Sequence, residues 1–229
     1  MPFHKLHIPT SGCLRSLRRH NDREWFNANK ERYLKVKEEA DSLAERLIAL
    51  IAEVEPAASR MSARDVTYRI YRDTRFSTDK TPYKTHIGIF INPPHGQKSL
   101  RYGYYFHLEP DNSFICGGNM PAPAPLTKAL RQSIYDNIEE YLDLVEDPEF
   151  KSLFPVIGTE RLKLPPKGFP KDWEHIEYLK PKDFGTFMSV DDDFLTSSDA
   201  IDRLRPIVAQ IKRLNDFINY TIDEYEEGL

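Results

Sequence analysis

Residues 101–118 read RYGYYFHLEPDNSFICGG, which is the pattern of two strands joined by a tight turn. From Tyr102 to Leu108, large apolar residues occupy every second position, the period of a strand with one buried face. EPDN at 109–112 has the composition of a turn, and SFICGG at 113–118 is the second strand. No helical segment separates them, so the pattern predicts antiparallel neighbours rather than a parallel doubly wound sheet.

Three further segments show the alternation of strands. One runs from Val66 to Ile70, a second is HIGIFI at 86–91, and FGTFMSV at 184–190 is a candidate for a third. The turn signal NPPHG at 92–96 separates the second of these from the 101–118 pair. The sequence therefore predicts an antiparallel sheet of about four to six strands.

Helical periodicity surrounds these strands. NDRE at 21–24 resembles a capping box with Asn21 as the N-cap, and it predicts a long helix over 22–54 that ends before Pro56. A shorter helix is expected over 10–20. Apolar residues recur at helical spacing from Leu126 to Val145, a short helix is expected over 172–180, and a last helix is expected from near Pro206.

These elements predict an α+β fold in which long N- and C-terminal helices pack on the antiparallel sheet. A chain of 229 residues is long enough to bury a full core, and no linker of disordered composition interrupts it. We therefore expect residues 1–229 to form a single α+β domain.

The apolar stripe of the first long helix has a gap in WFNANKERY at 25–33, where the core-facing positions fall on Asn29 and Lys30. One interpretation is that the first turns of the helix extend beyond the core. The other is that Asn29 or Lys30 points into a polar interior site, where a buried lysine has to be paired or lose its charge.

The composition excludes several classes of protein. The chain is 40% hydrophobic and has a net charge of −4, which argues against disorder and against a dedicated nucleic-acid binder. Cys13 and Cys116 are the two cysteines, so no disulfide framework is implied. The first residues have no apolar core of signal-peptide length, and no segment reaches the length of a membrane span. A soluble, cytoplasmic protein is expected.

Residues 69–85, RIYRDTRFSTDKTPYKT, carry five cations and two carboxylates in a chain that is acidic overall. The surplus has to be balanced by another part of the fold, by a ligand or by a nucleic acid. If the strand at 66–70 continues, its polar face carries Arg69 and Asp73. The same face of neighbouring strands would add a group of charged and titratable residues: Lys84, His86, Arg101, His107 and Glu109.

Several segments together carry a resemblance to a known family. WFNANKERY, RIYRDTRFSTDKTPYKT, YYFHLEP and PPKGF resemble a bacterial family of conserved hypothetical proteins, domain of unknown function 2461. Its pattern R-x-x-R-D-x-R-F, followed by a lysine and a tyrosine, corresponds here to Arg69, Arg72, Asp73, Arg75, Phe76, Lys80 and Tyr83. The resemblance implies no activity, but a signature of charged and hydroxyl side chains favours a site over a core.

Other chemical motifs contribute less. His4 and His7 have a spacing that suits a metal, but we expect solvent-exposed side chains there. His107 and Glu109 share a strand face and suit acid–base chemistry or a weak metal site, with a structural role as the alternative. No phosphate-binding loop, dinucleotide fingerprint, zinc spacing or nucleophile elbow occurs, so neither a metal nor a cofactor is expected.

Three functions remain open on the sequence alone. The first is the binding of a small anion, a phosphate ester or a carboxylate, with hydrolysis assisted by Asp73 or His107 if a reaction follows. The second is nucleic-acid binding with Tyr71, Phe76 and Tyr83 stacked on bases, which the net charge disfavours. The third is a structural or partner-binding domain whose motif is an internal ion-pair network. In the first, the ligand-binding residues are Arg69, Arg72, Arg75, Lys80, Tyr83 and Lys84, together with Asn29 and Lys30.

Overall fold

The computed structural model describes residues 11–96, 99–119, 122–192, 194 and 197–228. In this part of the chain the α-helices are α1 (Ser11–Arg19), α2 (Arg23–Ala28), α3 (Lys30–Ala52), α4 (Ala63–Val66), α5 (Ala124–Asp136), α6 (Ile138–Val145), α7 (Pro148–Leu153) and α8 (Ala200–Glu227). The strands are β1 (Ile87–Ile91), β2 (Gly103–Leu108), β3 (Ser113–Gly118) and β4 (Thr186–Val190). Two 3₁₀ helices cover Pro56–Arg60 and Ile176–Leu179.

The four strands form one antiparallel sheet in the order β1-β2-β3-β4. This is the meander that the alternation and the turn signals predicted, and it confirms the α+β fold. The candidate strand near residue 184 is present as β4. No described helix combines the length and the apolar character that a bilayer span requires.

The chain divides into two compact units, each assembled from three separate segments. One contains the described residues within 1–97, 105–115 and 189–205, and the other those within 98–104, 116–188 and 206–229. The first unit contains the arginine-rich stretch and, around it, a cluster of buried side chains: Leu17, Phe26, Ile70 and Tyr83. The expectation of a single domain over 1–229 stays a prediction.

Two of the predicted helices are interrupted by an asparagine. Asn29 separates α2 from α3, and its Nδ2 donates to the Trp25 carbonyl at 2.9 Å. Asn137 separates α5 from α6 in the same way, with Nδ2 donating to the Ser133 carbonyl at 2.9 Å. An asparagine side chain that bonds to the backbone competes with the helical hydrogen bonds. The gap in the apolar stripe is therefore a break in the helix.

The start of the first long helix differs from the prediction by one residue. Asp22, not Asn21, is the N-cap, because its Oδ1 accepts from the Trp25 backbone N–H at 2.8 Å. The Asn21 side chain instead forms hydrogen bonds with the backbone of Tyr83. Its Nδ2 donates to the Tyr83 carbonyl at 2.9 Å, and its Oδ1 accepts from the Tyr83 N–H at 3.1 Å. It joins the helix start to the end of the arginine-rich stretch.

The predicted strand from Val66 to Ile70 is wrong at its beginning. Ser62 and Asp65 form a capping box, with Ser62 N–H donating to Asp65 Oδ2 at 2.9 Å, and the capped turn ends at Val66 as α4. The residues that follow are extended but form isolated bridges, Thr67 with Ile89 and Tyr71 with Tyr83. At the C-terminus, α8 begins at Ala200, earlier than the expected start near Pro206.

The thiol of Cys116, in β3, leads to a prediction about alkaline pH. Burial raises its pKa from 9.0 to about 12, and the charge of Asp183 adds to the shift. The unfolded chain loses this proton at a lower pH than the folded chain, so the thiol's contribution to stability is complete below pH 9 and is lost as pH rises towards 12. Between these values the group lowers the unfolding free energy by about 1.4 kcal/mol per pH unit.

Urea unfolding followed by circular dichroism at several pH values above 9 measures this effect. We expect a smaller loss of stability with pH in Cys116→Ala than in the wild type. Equal pH dependence in the two proteins would contradict the assigned role of the thiol.

Candidate functional site

The arginine-rich stretch is held by backbone hydrogen bonds between two extended segments. Tyr68 N–H donates to the Gly88 carbonyl at 2.9 Å, and Lys84 N–H donates to the Ile70 carbonyl at 2.8 Å. Arg72 N–H donates to the Pro82 carbonyl at 2.9 Å. Residues 73–81 form the loop between these segments, so Arg72 and Lys84 come close together although twelve positions separate them.

A cleft of about 370 Å³ opens beside this pairing. Arg18 of α1 contributes one cation, and Arg72 and Lys84 contribute two more from the stretch itself. Asp79 is the carboxylate of the lining. The remaining lining residues supply hydroxyl, amide and ring groups: Asn21, Thr81, Tyr83, Thr85 and His86. The lining therefore contains three cationic side chains and one carboxylate, which is a surplus of positive charge.

Two of the three cations are paired. Arg72 contacts Asp79 and Thr81, both within its own loop. Arg18 Nη2 lies 3.4 Å from Glu109 Oε1 and donates to the Pro110 carbonyl at 2.9 Å. These contacts hold the two guanidinium groups in place at the cleft.

Lys84 differs from the two arginines. It is half-buried, its Nζ lies 5.0 Å from the ring centroid of Tyr68, and among the described residues no carboxylate pairs with it. Burial lowers its pKa, and the charge of Arg69 lowers it further. Removing an ammonium group from water without a counter-charge is unfavourable, so this lysine has the capacity to bind an anion.

Two histidines and a glutamate meet next to the cleft. His86 precedes β1, His107 lies in β2, and Glu109 follows β2. His107 Nε2 lies 3.3 Å from Glu109 Oε2, and the rings of His86 and His107 are 4.1 Å apart. Since Gly88 has no side chain, Tyr105 fits beside it: a Cβ there would lie 2.9 Å from the Tyr105 hydroxyl, which contacts His107 Nδ1 at 3.1 Å.

Burial sets the charge of these groups. It lowers the pKa of His86 to about 4, helped by the nearby His107 and Lys84. Burial also lowers the pKa of His107, and it outweighs the opposing hydrogen bond with Glu109. For Glu109, burial raises the pKa, but hydrogen bonds from Thr85, Asn112 and His107 outweigh it and lower the pKa to about 2. At neutral pH the cluster therefore holds two neutral imidazoles and one carboxylate.

Part of the signature lies away from the cleft. Arg75 Nη2 pairs with Asp73 Oδ2 at 2.6 Å in an exposed part of the loop, and Lys80 donates to the Thr74 carbonyl at 2.9 Å. The hydrogen bonds from Arg75 hold the pKa of Asp73 at about 2. None of Asp73, Arg75 and Lys80 lines the cleft, so the structure does not bring them to Arg72 and Lys84.

Arg69 lies at a neighbouring cavity. This cavity of about 340 Å³ is lined by Arg69, by His86 and by the three tyrosines 33, 68 and 71. His86 lines both cavities, so it is a residue that the cavity of Arg69 and the cleft of Arg72 share. Asn29 and Lys30 line neither cavity: Asn29 is bonded within its helix break, and the Lys30 side chain is exposed.

Tyr83 is the signature residue whose position differs most from the sequence-based expectation. Its side chain is 4% exposed and is stacked on Phe26, with ring centroids 4.0 Å apart and an interplanar angle of 15°. It belongs with Leu17 and Ile70 to the core cluster of this unit. The predicted role of Tyr83 as a ligand-binding residue stays a prediction, but most of the ring serves packing.

Several residues that line the cleft were not predicted from the sequence. Arg18 and Asn21 belong to a segment more than fifty positions before Lys84, and no local pattern linked them to the stretch. Thr81 and Thr85 lie inside the quoted stretch 69–85, but no pattern of spacing or charge marked them as lining residues. His86 and Glu109 were placed on a polar face by their alternation, which was a usable signal.

The pattern of a family described as "Conserved hypothetical protein (DUF2461)" matches residues 10–217. The chain belongs to this family. No curated protein matches the chain, and no solved structure matches it. Family membership confirms the resemblance, and it covers both the cleft residues and the histidine cluster.

Proposed function

We propose that the chain binds a small anion, a phosphate ester or a carboxylate, in the cleft lined by Arg18, Arg72 and Lys84. The observation that carries the proposal is Lys84, a half-buried ammonium group without a carboxylate partner among the described residues. A ligand anion would supply that counter-charge. Arg72 would add a planar pair of donors suited to phosphate or carboxylate oxygens.

The neutral groups of the cleft support the same ligand class. Thr81, Thr85 and Asn21 line it beside the cations, and hydroxyl and amide donors bind anion oxygens without adding charge. A volume of about 370 Å³ fits a small molecule rather than a polymer. The free thiols of Cys13 and Cys116 support a reducing compartment, and we propose the cytoplasm.

A reaction at the cleft is a further step. Asp73 is exposed and has a pKa of about 2, so it is a weak base at neutral pH. His107 is 8% exposed and lies beside the cleft rather than in its lining. We therefore propose binding as the function. Phosphatase assays on the wild type and on Asp73→Asn would test hydrolysis. Equal hydrolysis rates in the two proteins would exclude a role for Asp73.

Two other functions have one observation each. Phe76 is 96% exposed with the Arg75 guanidinium 5.8 Å from its ring, which suits stacking on a nucleic-acid base. The pairs Arg72–Asp79 and Arg75–Asp73 suit an internal ion-pair network. These pairs are partly exposed, and such pairs contribute about 1 kcal/mol or less.

Isothermal titration calorimetry with the EDTA-treated protein tests the proposal. The probes are inorganic phosphate, pyrophosphate, citrate and a short single-stranded RNA. We expect at least one of the small anions to bind the wild type, and Lys84→Met to lower its affinity at least about tenfold, because one charge-assisted contact contributes about 1.5–3 kcal/mol. Lys35→Met, an exposed lysine on α3, removes the same charge and should leave the affinity unchanged.

Other outcomes of these experiments would contradict the proposal or favour one of the other two functions. Binding of no small anion, or equal loss in Lys84→Met and Lys35→Met, would overturn the anion cleft. RNA binding with a steep salt dependence would favour the nucleic-acid function. A large decrease in the melting temperature of Arg72→Ala, with no probe bound by the wild type, would favour the internal ion-pair network.

A further inference from the structure

The cluster of His86, His107 and Glu109 has the composition of a metal centre. One potential ligand atom from each residue lies within 4.8 Å of the other two. Two imidazole nitrogens and one carboxylate oxygen are the donors that zinc and other first-row divalent ions accept. We propose that His86, His107 and Glu109 bind a divalent transition-metal ion. This inference does not rest on the proposed anion site.

The spacing of His107 and Glu109 suits a shared ion. Residues two apart on an extended segment point to the same side, which places both side chains together. Their Nε2 and Oε2 atoms are 3.3 Å apart. Two ligands that each lie about 2.1 Å from an ion, at a tetrahedral angle, are about 3.4 Å apart. The pair needs little rearrangement to bind an ion between its two atoms.

A second group of side chains orients these ligands. The Tyr105 hydroxyl contacts His107 Nδ1 at 3.1 Å, which directs Nε2 towards Glu109. Thr85 donates to Glu109 Oε1 at 2.6 Å, and Asn112 donates to Oε2 at 2.8 Å. Phe114 stacks on the His107 ring, with centroids 4.4 Å apart. Hydrogen bonds of this kind to the outer atoms of the ligands are characteristic of metal centres.

His86 is the residue that favours a metal site over a purely structural pair of His107 and Glu109. His107 and Glu109 are satisfied by each other and by their neighbours. The half-buried His86 ring contacts His107, but it forms no hydrogen bond with any residue in the described ranges. Its ring nitrogens are therefore available to a metal ion, which would give the ring a partner. His86 also lines the cleft, and three protein ligands would leave a fourth coordination position of the ion to water or a ligand.

The ligand set also predicts selectivity. Calcium and magnesium prefer sites made wholly of oxygen ligands, and this cluster offers a single carboxylate. Arg18 Nη2 lies 3.4 Å from Glu109 Oε1 and opposes a bound cation. Zinc and cobalt should therefore bind, with an affinity moderated by this charge, and calcium should not.

Titration of the EDTA-treated, dialysed protein with zinc chloride, followed by calorimetry and by melting temperature, tests the proposal. We expect one zinc ion at this site and a rise in melting temperature, since an ion that binds the folded state stabilises it. His86→Ala and Glu109→Gln should each lower zinc affinity at least about tenfold. Cobalt gives a visible spectrum that reports nitrogen and oxygen ligation without any assay of activity.

Three controls keep the result specific. His95→Ala removes an exposed histidine outside the cluster and should leave zinc binding unchanged. The double variant His4→Ala/His7→Ala removes the other histidine pair with metal spacing, which lies outside the described residues, and should retain the site. His86→Ala and Glu109→Gln must show the wild-type circular dichroism spectrum. No zinc binding, or binding that survives both cluster variants, would overturn the proposal.

Discussion

Tyr83→Ala is expected to lower the unfolding free energy by about 3–5 kcal/mol, the cost of removing a large aromatic side chain from a packed core. Tyr83 is 4% exposed and stacks on Phe26, and Asn21 bonds to both its N–H and its carbonyl. Its loss would leave a cavity between α2 and the arginine-rich stretch. Urea unfolding followed by tryptophan fluorescence measures the change.

Tyr83→Phe is the matched control, because it keeps the ring and removes the hydroxyl. We expect a change below about 1 kcal/mol, as for a swap that preserves volume. If the Phe variant is stable but binds the anion probes more weakly, the hydroxyl contacts the ligand, which would support the predicted ligand-binding role of Tyr83. A small effect of Tyr83→Ala on stability would show that the ring is not part of the core.

Asn219→Ala is expected to lower the unfolding free energy by about 2–4 kcal/mol. Asn219 lies on α8 and is 4% exposed. Its Oδ1 accepts from the Tyr102 N–H at 2.7 Å, and its Nδ2 donates to the Tyr102 carbonyl at 3.0 Å. Each buried backbone group left without a partner costs about 1–3 kcal/mol. Thermal and urea unfolding of the variant measure the loss.

Asn215→Ala, one helical turn earlier, is the comparison. Asn215 is 2% exposed and donates to the Gly103 carbonyl at 3.1 Å, but its Oδ1 has no hydrogen-bond partner among the described residues. Its removal deprives a single backbone group of a partner and also removes an unsatisfied oxygen. We expect a smaller loss than in Asn219→Ala, and the reverse order would contradict the assigned contacts.

The same two asparagines show a kind of burial that a sequence pattern does not predict. The apolar spacing of α8 runs unbroken from Ile207 to Tyr225, and it does not predict that the polar Asn215 and Asn219 are buried as well. They are buried because the backbone at Tyr102 and Gly103 needs partners there. A pattern within one helix contains no information about an unpaired group on a distant segment.

Local contacts explain why other elements were predictable. The strands from Tyr102 to Gly118 follow from alternation and a turn, and both arise from neighbouring residues. The helix breaks at Asn29 and Asn137 were not predicted, although they are also local, since each side chain bonds within one turn. The predicted strand at Val66 failed because an equally local capping box, Ser62 with Asp65, competed with it.

By itself, the sequence determined the α+β class, the meander and the gathering of cations at residues 69–85, because these follow from period and composition over short windows. The tertiary structure decided which members of that stretch do what. In the folded chain the Tyr83 ring is part of the core, and Asp73 pairs with Arg75 at the surface. Arg18 and Lys84, which are distant in sequence, line the same cleft. It also joined His86 to His107 and Glu109. Such pairings depend on how distant segments pack, and side-chain direction is settled only when that packing forms.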